Sequence, residues 1–431
     1  MDKRYLKVTG MTKATVAILG TIAGVTMIGA SPANAWTDDN GAGASSCTDP
    51  VVNDAGTVAG TCEVNNARRG FVKLPTGSST FLAGLPSEQG GVPCIVAGLS
   101  NAAAGSEIIP GACADQDFVM QGVYWNSSTP TTAPTLLKPL SLLGLLADVQ
   151  TVVTAFNTPG TIVGVSIGAQ GSTSGQGNKT PVSWSSSGAP TQLAAPLGSM
   201  NNGCVPADVN DASTPSIIGN CADAGTGGGS KAVLWQGTGA AYSVLPVPSG
   251  ADYCTVSKIN LSGQILGQCN YGTDTYRAAV WGPGGTAPLV LLTVASGSAL
   301  RTAGVDISDS GIVACNYLAG GASAGFSEPC VWNPANGNTN ATLITLPGGA
   351  TTAATNVWIA NNGTIVGDYK TAAGVVHPYH VPSGSTTAVD DGTPGGGPNT
   401  VATWISKGGL FEVVTSEDAT GHWHDEVQSL R

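Results

Sequence analysis

Five tryptophans, Trp125, Trp184, Trp235, Trp281 and Trp332, stand 59, 51, 46 and 51 residues apart, and each ends a short apolar run. The runs read Gly122-Val-Tyr-Trp125, Pro181-Val-Ser-Trp184, Ala232-Val-Leu-Trp235, Ala278-Ala-Val-Trp281 and Pro329-Cys-Val-Trp332. Upstream of each Trp run lies a second one, as in Gly160-Thr-Ile-Val-Gly164, Pro215-Ser-Ile-Ile-Gly219, Gly263-Gln-Ile-Leu-Gly267 and Gly363-Thr-Ile-Val-Gly367. Gly56-Thr-Val-Ala-Gly60 is the first copy, while Glu107-Ile-Ile-Pro-Gly111 and Gly311-Ile-Val-Ala314 are degenerate ones. Ahead of these come Ile259-Asn-Leu-Ser-Gly263, Ile307-Ser-Asp-Ser-Gly311 and Ile359-Ala-Asn-Asn-Gly363, whose Asn, Asp, Ser and Gly suit a tight hairpin turn. A fourth element, such as Val244-Leu-Pro246, Leu291-Leu292 or Leu346-Pro347, follows the Trp run.

Four short strands recurring at a period of about 40 to 50 residues are the pattern of a β-propeller. A β-solenoid repeats at a shorter interval, and a sandwich does not repeat its sequence. Composition agrees: 61 glycines, 26 prolines and only 10% charged residues leave no room for long helices. The second runs begin at Gly56, Glu107, Gly160, Pro215, Gly263, Gly311 and Gly363, and Ile405–Val414 supplies an eighth. The fold class is therefore all-β, a propeller of eight four-stranded blades, with seven blades and a C-terminal extension as the alternative. The eighth unit ends without a fourth strand, which the segment from Trp36 is placed to provide. Residues 135–156 carry seven leucines and read as an outer strand plus a short helical insertion.

The first 35 residues read as a secretory leader. Lys3, Arg4, Lys7 and Lys13 form a basic region, Ala14–Ala30 is apolar, and Ala33-Asn34-Ala35 is a small-x-small cleavage site. Met11 is an alternative start that leaves the signal complete. Residues 36–431 then form the propeller domain. Cleavage removes four of 16 basic and one of 27 acidic residues, so 12 basic face 26 acidic ones at a net charge of −14. Such a surface repels nucleic acid and anionic membranes, and no later stretch is apolar enough to span a bilayer.

In an exported chain, ten cysteines read as disulfides. Cys62, Cys113, Cys221 and Cys269 each follow the second run's last glycine by two residues, with Cys47, Cys94, Cys204 and Cys254 15 to 19 residues upstream. The third unit has Ser166 there and lacks the upstream cysteine as well. Cys315 is displaced by one residue, which turns it to the other face, so its partner is Cys330 in the Trp run. The expected map is five bridges, each within one blade.

The alternation of Ile-Asn-x-x-Gly-x-Ile-x-Gly with a short strand ending in Trp resembles the extracellular HAF-repeat proteins over residues 50–415. Their unit carries a His-Ala-Phe-like triplet before that Trp. The matching position here reads Arg69, Gln121, Thr180, Lys231, Arg277, Glu328 and His377, and only His377-Pro-Tyr379 keeps the form. The resemblance implies a propeller-like fold and export; it implies no shared chemistry.

Candidate chemistry is sparse. Gly164-Val-Ser166-Ile-Gly168 matches a hydrolase elbow in letters only, because an elbow needs a strand turning into a helix and this is a repeated strand. His377, His380, His422 and His424 cluster late in the chain, but the first occupies a position filled by Arg, Lys or Glu in sibling units, so its side chain answers to solvent. Asp223–Ser230 and Asp390–Asn399 read as flexible acidic, glycine-rich loops without calcium-loop spacing. No titratable residue type is seen to recur on the channel-lining first strand. Hence no catalytic, cofactor-binding or metal-ligating residue is assigned. The expected role is a secreted or surface-associated binding or structural module for a glycan, peptide or protein, with a channel-mouth hydrolase or lyase as the alternative.

Overall fold

The computed structural model describes residues 37–38, 44 and 46–430, apart from 87–92, 143–145, 169–178, 197–202, 223–228, 239–240, 273–274, 295–296, 299–300, 319–326 and 351–352. The leader, and most of the Asp223–Ser230 segment, lie outside the described residues. The strands assemble into eight blades, with antiparallel neighbours in chain order. The innermost strands are Ser46–Val52, Cys94–Val96, Leu146–Phe156, Cys204–Val209, Tyr253–Ile259, Thr302–Ile307, Ala353–Ile359 and Gly396–Ile405. The eighth blade is completed by Thr37–Asp38, paired through Thr37–Val427 and Asp38–Glu426 to the strand Trp423–Ser429. The ring is thus closed by joining an early strand to a late one, as the missing fourth strand required.

Apolar side chains meet between blades. One layer joins Ile218 and Leu234 of blade 4 to Val256, Ile265 and Trp281 of blade 5; another joins Val413 of blade 8 to Val52, Val58 and Phe71 of blade 1. The tryptophans that set the sequence period are the largest buried side chains. Their indole N–H groups reach the preceding blade: Trp125 donates to the carbonyl of Ala83 at 2.7 Å, Trp184 to Lys138 at 2.8 Å, Trp235 to Ala194 at 2.6 Å and Trp281 to Pro246 at 2.9 Å. Trp332 turns instead to Asn338 of its own blade. Burying an indole with its N–H satisfied gives a large apolar contact without a desolvation penalty.

All ten cysteines are bridged within blades. Cys47–Cys62, Cys94–Cys113, Cys204–Cys221 and Cys254–Cys269 join directly opposed residues of first and second strands. Cys315–Cys330 joins second and third strands. Five bridges fit an oxidising compartment.

Two expectations are corrected. Residues 135–156 hold no helix among the described residues: Thr135–Leu136 is the outer strand of blade 2, Ser141–Leu142 adds an edge strand, and Leu146–Phe156 is the long inner strand of blade 3. The β-branched run Val149, Thr151, Val152, Val153 and Thr154 suits a pleated surface better than a helix, and outweighs the leucines. The Asp390–Asn399 segment is strand at both ends, Val389–Asp390 in blade 7 and Gly396–Ile405 in blade 8. Among the described residues no helix is long and apolar enough to cross a membrane.

Candidate functional site

The inner strands share an irregularity that builds the site. The register between first and second strands slips near the end of the first: between Pro206 and Asp208, Val256 and Lys258, Gly304 and Asp306, and Ala402 and Trp404. The residue just past each bulge then faces an equivalent partner: Asp208 opposes Ile218, Lys258 opposes Leu266, Asp306 opposes Ala314 and Trp404 opposes Val413. Trp358 of blade 7 holds the same position, opposite Val366. A bulge re-aims the side chain that follows it. Asp208, Lys258, Asp306, Trp358 and Trp404 therefore converge from five successive blades on one cavity of about 350 Å³ in the central channel.

Below them the hairpin turns lock the ring. Asn260 accepts from the N–H of Gln264 at 2.9 Å and donates across to the carbonyl of Ser308 in the next blade, also at 2.9 Å. Asn157 and Asn210 repeat the arrangement toward Asn210 and Asn260. The next residue adds a second belt: the N–H of Thr158 reaches Asp211, that of Leu261 reaches Asp309, and that of Asp309 reaches Asn361. The Asn of the repeat is therefore both a turn residue and an inter-blade tie. At this end Lys407 of blade 8 extends across the channel. Its ammonium bonds the carboxylate of Asp211 on the opposite blade, with Asp309 at 3.9 Å.

Electrostatics follow from this crowding. Burial raises the carboxyl pKa of Asp208 and of Asp306, with Lys258 the main opposing influence on each. Burial also works against the Lys258 ammonium, but the charges of Asp208 and then Asp306 outweigh it, so Lys258 holds its proton more tightly than usual. For Asp211, burial is overcome by the hydrogen bond from Lys407 and by the Thr158 N–H, and its pKa is lowered. The carboxylates are also structural: Asp208 accepts from the N–H of Ile259 at 2.9 Å, and Asp306 from Ile307 at 3.0 Å and Ile359 at 3.1 Å. Lys258 Nζ lies 6.0 Å from the Trp404 ring centre, which is 6.4 Å from that of Trp358.

The residues singled out from sequence lie elsewhere. Ser166 is buried in mid-strand opposite Thr151, not at a turn, and accepts from the N–H of Leu140 at 2.9 Å. The histidines sit on blades 7 and 8, and each has an acidic neighbour. His377 is 3.1 Å from Asp390, His380 2.7 Å from Asp391, His424 3.0 Å from Asp418, and His422 3.9 Å from that same Asp418. Consecutive acids on the adjoining outer edge, Asp390 and Asp391, serve His377 and His380 on opposite faces. Among the described residues no three His, Cys, Asp or Glu side chains gather as a metal site needs. Replacing His377, His422 and His424 together with Gln is expected to cost no more than about 0.5 kcal/mol per site, read by urea denaturation. A loss several times larger would make the His–Asp pairs structural.

The absence of recurring titratable groups on the first strands is corrected too. Asp208, Lys258 and Asp306 do recur, two residues before the turn Asn or Ser. Asp208-Val-Asn210, Lys258-Ile-Asn260, Asp306-Ile-Ser308, Trp358-Ile-Ala360 and Trp404-Ile-Ser406 spell the register out.

No family model and no curated protein sequence matches the chain. Solved structures do. The Dos1 propeller aligns with a TM-score of 0.53 at 10% identity, covering 92% of this chain and 95% of that one. A prolyl endopeptidase aligns at 0.52 and 10% identity, covering 90% and 55%. A puromycin-hydrolyzing peptidase of Mycobacterium tuberculosis aligns at 0.48 and 13%, covering 84% and 56%. This chain spans just over half the length of those two peptidase chains. At such identities the likeness shows the propeller fold alone.

Proposed function

We propose that the chain is an exported binding module that holds a small extracellular molecule in the central channel. The observation that carries this reading is the convergence of Asp208, Lys258, Asp306, Trp358 and Trp404 on one cavity from a single register position. A concave site with apolar walls and a few converging polar groups is what small-molecule recognition needs. The disulfides, the leader-like N-terminal sequence and the resemblance to extracellular HAF-repeat proteins support the exported setting.

A channel hydrolase or lyase is the second reading, favoured by the raised carboxyls of Asp208 and Asp306. Against it, both acids are tied to backbone N–H groups that hold neighbouring blades together. Saturation-transfer NMR on the purified protein, with pooled sugars, dipeptides and polyamines, separates the two. Binding of one class, with the ligand recovered unchanged, is the expected result. Turnover would favour the enzyme, and binding by none would end the channel reading.

A further inference from the structure

We infer that the channel ligand is an uncharged sugar, a mono- or disaccharide seated against Trp358 and Trp404; this rests on the binding-module reading above. Three observations select the class. The first is the indoles. The five repeat tryptophans each donate the indole N–H to a backbone carbonyl. Trp358 and Trp404 are half-buried in the cavity wall, and among the described residues neither indole N–H has a protein acceptor. Each thus offers an apolar ring face together with a free donor.

The second is charge. The cavity wall carries Asp208, Asp211, Asp306 and Asp309 against Lys258 and Lys407, an excess of two negative charges that disfavours anions. A cation would suit the acids and the rings, but Lys258 already brings a positive charge to the neighbourhood of Asp208, Asp306 and the Trp404 ring. At 6.0 Å it stands at the outer reach of a cation–π contact, so the ring face is only weakly occupied. The third is hydrogen-bonding capacity. Each carboxylate oxygen can accept more than one hydrogen bond, so Asp208 and Asp306 can take hydroxyl protons without releasing their blade-tying N–H groups. A neutral sugar offers C–H faces for indoles, hydroxyl donors for carboxylates and oxygen acceptors for indole N–H and ammonium. At about 350 Å³ the cavity is at the small end of ligand pockets, which suits one short saccharide rather than a chain.

Isothermal titration calorimetry with maltose, cellobiose, mannobiose and diacetylchitobiose, alongside digalacturonate, spermidine and pooled dipeptides, tests this on the wild-type chain and on Trp404→Ala and Trp404→Phe. At least one neutral disaccharide should bind, at least 10-fold more weakly to Trp404→Ala and a few-fold more weakly to Trp404→Phe, which keeps the ring and loses the donor. Digalacturonate should not compete. Trp404→Phe keeps the test alive should Trp404→Ala fail to fold. If spermidine or a dipeptide binds in a Trp404-dependent way and no sugar does, the sugar inference falls while the channel reading stands. If sugars bind both variants as they do wild type, the seat on Trp404 is wrong. If none of the three classes binds, both readings fall.

Discussion

Replacing Gly164 with alanine is expected to cost about 3 kcal/mol, and Gly160→Ala only about 1 kcal/mol, although the two glycines bound one five-residue copy of the repeat. Gly160 turns the hairpin at φ +94°, and a Cβ there would meet nothing within 4 Å, so the cost is backbone strain alone. Gly164 has no special φ but has no space. A Cβ would come within 2.0 Å of the Val152 carbonyl oxygen and 3.1 Å of the Trp184 ring. Backbone cannot yield as a side-chain tip can, and Trp184 is held by its 2.8 Å bond to Lys138 in the preceding blade. Either the long inner strand or the indole must move, and both movements open a buried layer between blades. Blade 3 has no disulfide to limit the damage. Urea denaturation of both variants with unchanged slopes checks the order; equal costs, or a larger one at Gly160, would mean the second-strand glycine does not make room for the tryptophan.

That contrast explains why the fold could be read in the sequence and the site could not. The Gly164 and Trp184 positions are filled for one steric reason in blade after blade. Gly111 and Gly219 would likewise push a Cβ to within 2.8 Å of Trp125 and Trp235. Repetition of a packing rule is visible as a period, and the cysteines inherit it because they occupy opposed rungs of the same two strands. The channel position obeys no such rule. What each blade places there differs: Asp208 and Asp306 accept from backbone N–H groups of the next blade, Lys258 stands near their charges, and Trp358 and Trp404 form part of the cavity wall. The bulge before this position also shifts the alternation by one residue, hiding its direction from a period-two reading. The residue two places before the turn Asn was the available signal. Lys407 left no such trace, because its partner Asp211 lies on the opposite blade, 196 residues away.

Glu412→Gln is expected to stabilise the protein progressively as pH rises above the ordinary carboxyl range. Glu412 opposes Ile405 at a rung where other blades place Ile265, Val313 or Ile365, all buried. An acid has thus replaced a core aliphatic. Its side chain is fully buried; one oxygen accepts from Gln428 at 3.0 Å, and the other has no hydrogen-bond partner. Burial first, and the charge of Asp391 second, push its pKa well above the usual value, with Gln428 opposing. Blade 7 presents Asp391, with His380 at 2.7 Å from it, toward this group. Below about pH 4.3 the folded and unfolded chains both carry the Glu412 proton, and the contribution is intact. As pH rises the unfolded chain releases that proton while the folded chain keeps it, so stability falls by up to about 1.4 kcal/mol per pH unit until the folded group also ionises. Glutamine preserves the shape and the Gln428 contact, and has no proton to lose. His380 and Asp391 are present in both proteins, so the difference between the two curves reports the Glu412 site. Urea midpoints of wild type and variant should converge near pH 4 and separate steadily toward pH 8. Parallel curves across that range would show that Glu412 ionises inside the fold as readily as it does in water, which a fully buried carboxyl facing Asp391 can do only if the blade 7 to blade 8 seam opens to solvent.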